Sequence, residues 1–398
     1  MESVSVLEIF FWLAIFVIFY TYAGYGIVLY LMVRIKRFFN KSKELKDDFE
    51  PEVTFVVPCY NEADIVEDKV KNTLSLDYPK DKFKVVFITD GSTDGTPERL
   101  KNFDRIKVLH EDKRGGKSAA ENRAMKFVDT PIVIFSDANT ILPKDAIKKI
   151  VRHYADPKVG AVSGEKRVLS GESADASAAG EGIYWKYESL LKKLDSELLT
   201  IVGAAGELFS FRKELFVELE EDTILDDFML SMRIAEKEYR VVYEPEAYAM
   251  ETASASIKEE LKRKIRICAG GWQSMIRLKS VLNPFKNFLL TFQYVSHRVL
   301  RWSIAPLLMF LLLPLNLFLA FEGWVYQWML AGQIAFYTLA LLGWYLEEKE
   351  IRFKMLFIPF YFFFMNASVF AGFYRYAKGK QAAAWERVKR GSLVTAKD

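Results

Sequence analysis

Three acidic sites in this chain fall directly after short β-branched runs, where side chains from separate segments can converge. Asp90 lies in Thr-Asp-Gly-Ser-Thr-Asp-Gly-Thr (89–96), where Gly91 and Gly95 permit a tight turn and the carboxylate can accept from ribose hydroxyls or a base N–H. Asp137 and Asn139, in Phe-Ser-Asp-Ala-Asn-Thr (135–140), offer two oxygen donors suited to a hard divalent cation. Mg2+ or Mn2+ there would bridge to a diphosphate and neutralise charge growing on a leaving group. Asp226 and Asp227 are adjacent and repel one another, so one is expected to hold its proton more tightly and serve as general base. Each pattern alone is common in turns, loops and helix starts. Their order and shared strand-end placement carry the argument.

The elements that must position them are legible as alternating short strands and helices over residues 51–280. Val53–Val57, Val85–Thr89 and Ile132–Phe135 read as strands ending in turn residues, and Ser118–Phe127 reads as one of the helices between them. That alternation predicts a three-layer α/β domain with a mostly parallel sheet, and in such sheets ligands bind at the carboxyl ends of the strands.

The remainder of the chain is of another kind. Hydrophobic residues make up 51% of the sequence and charged ones 27%, with the apolar residues crowded at both ends. Residues 9–33, 302–321, 323–346 and 355–374 carry no charge, and each reaches the roughly 20 residues an α-helix needs to cross a bilayer. Trp302, Trp324, Tyr326, Trp328 and Tyr345 are read as interfacial anchors beside them. The first run has no basic start, is long for a signal-peptide core and lacks an A-x-A site, so it is read as a membrane helix.

Arg34, Lys36, Arg37, Lys41 and Lys43 follow that run, which places the amino end outside and the central domain in the cytosol. Three further crossings would put the tail outside as well, yet the tail carries Arg375, Lys378, Lys380, Arg387, Lys389, Arg390 and Lys397. Tail charge is taken over parity, with the last run, containing Pro359 and Asn366, as a re-entrant or broken hairpin, or the number of spans different. Residues 281–301 read as an amphipathic helix in the interface. The expected organisation is therefore a membrane helix and basic flank (1–40), a catalytic domain (51–280), the interface helix (281–301), further membrane helices (302–376) and a basic cytosolic tail (377–398), in the plasma membrane. A net charge of +3 with its basic clusters beside apolar runs suits lipid headgroups and argues against nucleic acid. Cys59 and Cys268 are too few for a disulfide framework, and no Cys/His spacing suggests zinc.

Val-Val-Pro-Cys-Tyr-Asn-Glu (56–62), then the Asp90 and Asp137 segments in that order, resemble membrane-bound family 2 glycosyltransferases, the group of hyaluronan, poly-N-acetylglucosamine and cellulose synthases and of ceramide glucosyltransferase. The resemblance covers roughly residues 51–280. It implies a GT-A fold, Rossmann-like, and a nucleotide-sugar donor, with UDP as the expected nucleotide. On it, Pro58, Tyr60, Glu62 and Asp90 would contact the nucleoside, Asp137 and Asn139 the metal and diphosphate, and Asp227 would deprotonate the acceptor hydroxyl for one in-line displacement that inverts the anomeric carbon. Gly203, Ala204, Ala205 and Gly206 resemble the acceptor loop. Arg263-Lys-Ile-Arg266-Ile267 resembles the Q/R-x-x-R-W motif, in which Arg266 would face the diphosphate. Read without the resemblance, the same basic run is equally a lipid-facing helix. Trp385, Arg387 and Arg390 resemble the gating segment that follows the last membrane helix of hyaluronan synthases.

The departures fall on the metal site and the acceptor side. Asn139 stands where an acid is frequent, Ala205 replaces an acid of the acceptor loop, and Ile267 replaces the aromatic residue that contacts acceptor sugar in relatives, with Trp272 as a candidate substitute. Arg114-Gly-Gly-Lys-Ser is not a P-loop, because Glu111 stands where its first glycine must be; Lys117 is either a cation near the donor or part of a surface turn. The expected partners are a nucleotide sugar, a glycan or lipid acceptor and membrane lipids. Polymer synthesis leads, single transfer to a lipid follows, and a non-catalytic sugar- or nucleotide-binding scaffold is the alternative from another class.

Overall fold

The protein, a computed structural model, describes residues 5–39, 45, 48–169, 176–252, 257–349 and 354–381. Seven strands form one sheet: β1 (Val53–Cys59), β2 (Phe83–Asp90), β3 (Lys107–Glu111), β4 (Ile132–Ser136), β5 (Val159–Leu169), β6 (Leu208–Arg212) and β7 (Arg240–Thr252). Their spatial order is β3-β2-β1-β4-β6-β5-β7. Neighbours are parallel throughout except that β6 runs against both β4 and β5. The sheet is mixed and mostly parallel, as the alternation of elements predicts.

β1 explains the centre of this order. Every residue in Val-Thr-Phe-Val-Val-Pro-Cys is buried, as a strand covered on both faces requires. One apolar core lies between the sheet and helices α5 (Lys117–Met125) and α8 (Asp226–Glu236); the other lies under α3 (Val66–Leu74), α4 (Thr96–Leu100) and α6 (Ala146–Val151). Three layers result.

The amino end is a nearly continuous helix, α1 (Val6–Phe19) and α2 (Tyr25–Phe39), joined by a π-helical turn at Tyr20–Gly24. Tyr25, Leu29 and Val33 of α2 pack on Leu191, Leu194 and Leu198 of α7 (Ala176–Leu198). Lys36 Nζ donates to the carbonyls of Glu197 and Leu198 at 2.8 Å each, and Arg37 pairs with Glu197 at 2.6 Å. Two of the basic residues read as a membrane flank therefore cap the negative end of α7.

After β7 come α9 (Ile257–Arg277), α10 (Phe288–Tyr294), a second π-helical turn at Val295–Val299, and α11 (Leu300–Trp302). The membrane-type helices α12 (Ile304–Leu319), α13 (Trp324–Glu348) and α14 (Lys354–Ala377) follow. Three segments among the described residues are long and apolar enough to cross a bilayer: Val6–Phe39, Trp324–Glu348 and Met355–Ala377. The remaining run, 302–321, differs from its sequence reading, and the break expected in the last run falls here instead, since α14 is continuous. α12 has 16 residues, short of a full crossing, and meets Phe288–Trp302 at a 47° bend. Pro314 lies inside α12, and Ser303 at the bend has φ −143° and ψ −80°, outside helical values.

Two anchors also differ. Tyr326 is 9% exposed and packs on Phe11, while Trp302 is half-buried against Phe228. Trp324 and Trp328 are exposed as expected. At the carboxyl end, α14 returns to the catalytic domain: a Cβ on Gly372 would meet Cys268 Cβ at 2.5 Å, and Phe373 packs on Trp272 with centroids 4.8 Å apart. The last described residues thus emerge beside α9. Trp385, Arg387 and Arg390 lie outside the described residues.

Candidate active site

Two of the three acidic sites converge on one ammonium group. Lys117 opens α5, and its Nζ lies 2.8 Å from Asp137 Oδ1, 3.3 Å from Asp226 Oδ2 and 3.9 Å from Glu121 Oε1. Lys117 and Glu121 share a helix face because they stand four residues apart on α5. Asp226 and Asp227 form the first turn of α8, where the helix dipole favours negative charge. Asp227 sits against the acceptor loop: a Cβ on Gly206 would lie 3.0 Å from its Oδ2 and 3.3 Å from Lys117 Nζ. A side chain at this position would press on both groups.

The cluster holds more acid than base. Burial, then the charge of Asp226 beside it, pushes Asp227 up to about 7, against the pull of Lys117. Burial followed by Asp226 also drives Glu121 well above the ordinary carboxylate range. Burial disfavours the Lys117 ammonium, but Asp137, Asp226 and Glu121 more than offset it and hold the group well above the usual lysine value. Lys117 is therefore a resident cation of the site rather than a surface turn.

A cavity of about 1600 Å³ opens on this cluster. Its donor side is lined by Pro58, Glu62, Lys117, Asp137 and Asn139. Tyr60 is turned from the cavity wall and lies under the Arg114 guanidinium, 3.7 Å from its ring centroid. Asp90 is buried and turned inward: it accepts from the amides of Gly115 and Gly116, the latter at 2.6 Å, and from Arg123 at 3.0 Å. It thereby shapes the turn that aims Lys117. Asn61, with φ 54°, stitches this side together, as its Oδ1 accepts from Thr93 N at 2.8 Å and its N donates to Ser92 Oγ at 3.1 Å. Behind Asp137, the fully buried Lys69 donates to Ser136 Oγ and to Thr140 O and Oγ1 at 2.9 Å, which fixes the loop carrying Asp137 and Asn139.

Among the described residues, no group of three or more His, Cys, Asp or Glu side chains is arranged to hold an ion. Asp137 and Asn139 do present hard oxygen atoms on one wall, a donor set that fits a divalent cation completed by a diphosphate. Arg266 lines the same cavity; one arm donates to Ile224 O at 3.0 Å, and its buried Nε has no hydrogen-bond partner among the described residues. An oxyanion would satisfy it. Arg263 lines the wall too, 3.5 Å from Glu260 and 3.9 Å from Glu207.

Ala204, Ala205, Gly206 and Ile267, the residues expected on the acceptor side, reach the cavity. Ala204 N donates to Ser231 Oγ at 3.0 Å and Ala205 N to Ser163 Oγ at 3.1 Å. Gly203 supports the loop from behind: it has φ +88°, and a Cβ there would come within 2.1 Å of Phe228. Trp272 does not line the cavity. Five residues after Ile267 on a helix is about 500° of rotation, or roughly 140° away from it, and Trp272 packs on Phe373 instead.

Trp185, Glu207 and Lys166 line the cavity and were missed in the sequence reading. Glu207 is held well below the ordinary carboxylate range, because Lys166 at 2.7 Å and Arg263 more than offset its burial. No spacing signal links Lys166 to Glu207, since β5 and the acceptor loop meet only in three dimensions. The far end of the cavity leaves the α/β domain altogether: Tyr22 and α14 residues Tyr361, Phe362, Met365 and Asn366 form its wall.

Residues 54–219 match the family described as Glycosyl transferase family 2. The poly-beta-1,6-N-acetyl-D-glucosamine synthase of Staphylococcus aureus is 30% identical over 263 residues, 63% of this chain and 62% of that protein. The match thus spans less than two thirds of that relative's length. The Staphylococcus epidermidis protein of the same name is 25% identical over 399 residues, 92% of this chain and 95% of its own. Among solved structures, a mannosyltransferase from Pyrobaculum calidifontis in complex with GDP-Man and Mn2+ aligns with a TM-score of 0.70 and 26% identity, covering 92% of this chain and 99% of that one.

Proposed function

For a chain that carries a family 2 glycosyltransferase domain of GT-A fold together with membrane-type helices, we propose inverting transfer of a sugar from a nucleotide-diphosphate donor to an acceptor delivered from the bilayer. The observation that carries this reading is one cavity with the Asp137–Lys117–Asp227 cluster at one end and Tyr22, Tyr361 and Phe362 of the membrane helices at the other.

In this reading the acceptor hydroxyl lies against Asp227 and the loop 204–206. Asp227, balanced near neutrality, takes the hydroxyl proton as the oxygen attacks the anomeric carbon from the face opposite the diphosphate. The bond from that carbon to the diphosphate oxygen breaks, its electron pair leaves with the nucleoside diphosphate, and the proton ends on Asp227. Arg266 and Lys117 stand where the leaving charge grows and stabilise it electrostatically. Asp137 and Asn139 would hold Mn2+ or Mg2+, which supplies further charge neutralisation when bound. Pro58 and Glu62 form the nucleoside side, with Tyr60 and Asp90 shaping it from behind. The catalytic domain lies at the cytosolic face of the plasma membrane, where the basic residues 34–43 and the tail favour it.

The likeness to poly-beta-1,6-N-acetyl-D-glucosamine synthases supports a growing polysaccharide as acceptor. The apolar arm between Tyr22 and α14 favours a second reading, a single sugar placed on a lipid-anchored acceptor. Purified protein in lipid nanodiscs with Mn2+ and a panel that includes UDP-N-acetylglucosamine and GDP-mannose tests both. A ladder of oligosaccharides supports polymer synthesis and one glycolipid supports the second reading. No turnover of any nucleotide sugar refutes the proposal.

A further inference from the structure

The acceptor loop is braced from behind by a charged strut that the reaction chemistry above does not use. We propose that Arg298 is a positioning residue for the acceptor, fixing the loop 203–206 through the carbonyl of Val202, with buried Glu188 as its anchor. This deepens the reading of that loop as the acceptor site and rests on it.

Arg298 Nε donates to Val202 O at 3.0 Å, and its NH2 group lies 2.7 Å from Glu188 Oε1. A guanidinium can hold both partners in one rigid fork; an ammonium on a flexible stem cannot reproduce that geometry. Val202 is the residue before Gly203, whose left-handed backbone presses on Phe228, and Phe228 follows Asp227 in α8. The strut therefore ends one residue from the turn that sets the acceptor loop against the base. Arg298 itself lines the cavity.

The anchor is unusually well fixed. Glu188 is 3% exposed and also meets Arg301 at 3.2 Å and His297 Nε2 at 3.3 Å. His297 Nδ1 is 2.6 Å from Asp195 Oδ2, and the fully buried Asp195 accepts in addition from Gln293 at 2.9 Å and from the Tyr25 hydroxyl. Tyr20 and Ser296 join the two π-helical turns through their hydroxyls, 2.8 Å apart. Such turns interrupt a helix at a cost and are enriched at functional sites. Here they turn His297 and Arg298 from one helix, and Tyr25 from the other, onto the same pair of carboxylates. Because Glu188 keeps His297 and Arg301 when Arg298 is shortened, a variant at 298 does not leave a buried charge uncompensated.

The test uses full-length Arg298→Lys in lipid nanodiscs with Mn2+. UDP-N-acetylglucosamine and GDP-mannose are the donors, and a β-1,6-linked N-acetylglucosamine oligomer is the acceptor. Hydrolysis of the donor, in which water replaces the acceptor, is expected to stay within about twofold of the parent, while acceptor KM rises about tenfold, the equivalent of one lost hydrogen bond. Amide exchange at Ala204 and Ala205, both hydrogen-bonded to serine hydroxyls, is expected to quicken about tenfold with other regions unchanged. Glu188→Gln keeps the shape of the anchor but leaves Arg298 and Arg301 without their buried counter-charge, so it should give the same rise in acceptor KM together with a lower unfolding midpoint. Unchanged acceptor KM, or hydrolysis and transfer falling together, would overturn the proposal. Exchange needs no turnover, so the two failures separate: a parent that turns over neither donor refutes the glycosyl-transfer reading, and unchanged exchange at 204–205 refutes the strut.

Discussion

Asp227→Asn separates the base role from the cost of keeping that carboxylate where it is. The side chain titrates near 7 in the folded protein, against an ordinary aspartate value of 3.8. A carboxylate raised on folding contributes stability below its unfolded pKa and loses that contribution as pH climbs through the folded value. About three units at 1.36 kcal/mol each would amount to roughly 4 kcal/mol above pH 7; solvent admitted at its half-buried position reduces this to roughly 2–4 kcal/mol. Asparagine is nearly isosteric and carries no charge at any pH. The assay is thermal unfolding of parent and variant in identical lipid at pH 5 and pH 8. The variant's midpoint should gain several degrees on the parent at pH 8 relative to pH 5, since each kcal/mol moves a domain of this size by about 2–4 °C. Sugar transfer by the variant should fall by about 10²–10⁴ while donor binding persists. An equal difference between the two proteins at both pH values would show that Asp227 is not the strained acid, and undiminished transfer would remove it as the base.

Chelation should stop transfer, with Mn2+ or Mg2+ restoring it; full activity in excess EDTA would refute the role of Asp137 and Asn139. Gly203→Ala forces a Cβ into Phe228 at 2.1 Å on a left-handed backbone. It should lower the unfolding midpoint and raise acceptor KM at least tenfold, whereas Gly95→Ala, where a Cβ meets only Glu98 Oε2 at 4.0 Å, should cost only about 1 kcal/mol. Trp272→Phe should leave acceptor KM within twofold in the same kinetics, because that ring packs on Phe373; a large rise would return Trp272 to the acceptor site.

The sheet and its strand-end acids were legible because burial writes itself into composition. β1 and β4 are wholly buried β-branched runs, and the residues after β2 and β4 are turn formers followed by helix. Adjacency alone announces that one of Asp226 and Asp227 holds its proton more tightly; only the family resemblance singles out Asp227. Asp90 was placed correctly at a strand end but not oriented, because its partners are backbone amides 25 and 26 residues away that no side-chain pattern announces. Lys117 could be narrowed by its i,i+4 relation to Glu121, but the other two acids it meets come from the loop after β4 and the first turn of α8. Helical rotation carries Trp272 away from Ile267 and onto Phe373, a phase that the spacing of the motif does not announce. The membrane helices were visible as apolar runs, while the 47° bend at Ser303 depends on how α11 seats under the catalytic domain, which hydropathy does not encode.

The docking of Gly372 and Phe373 onto α9 has a mechanical consequence. One rod serves both as a wall of the substrate chamber and as a rest for the helix bearing Arg266. Tilting that rod to match a thinner or thicker bilayer would shift α9 and the apolar arm together. The rate of sugar transfer is therefore expected to vary with acyl-chain length, which kinetics in nanodiscs of short- and long-chain lipid would read.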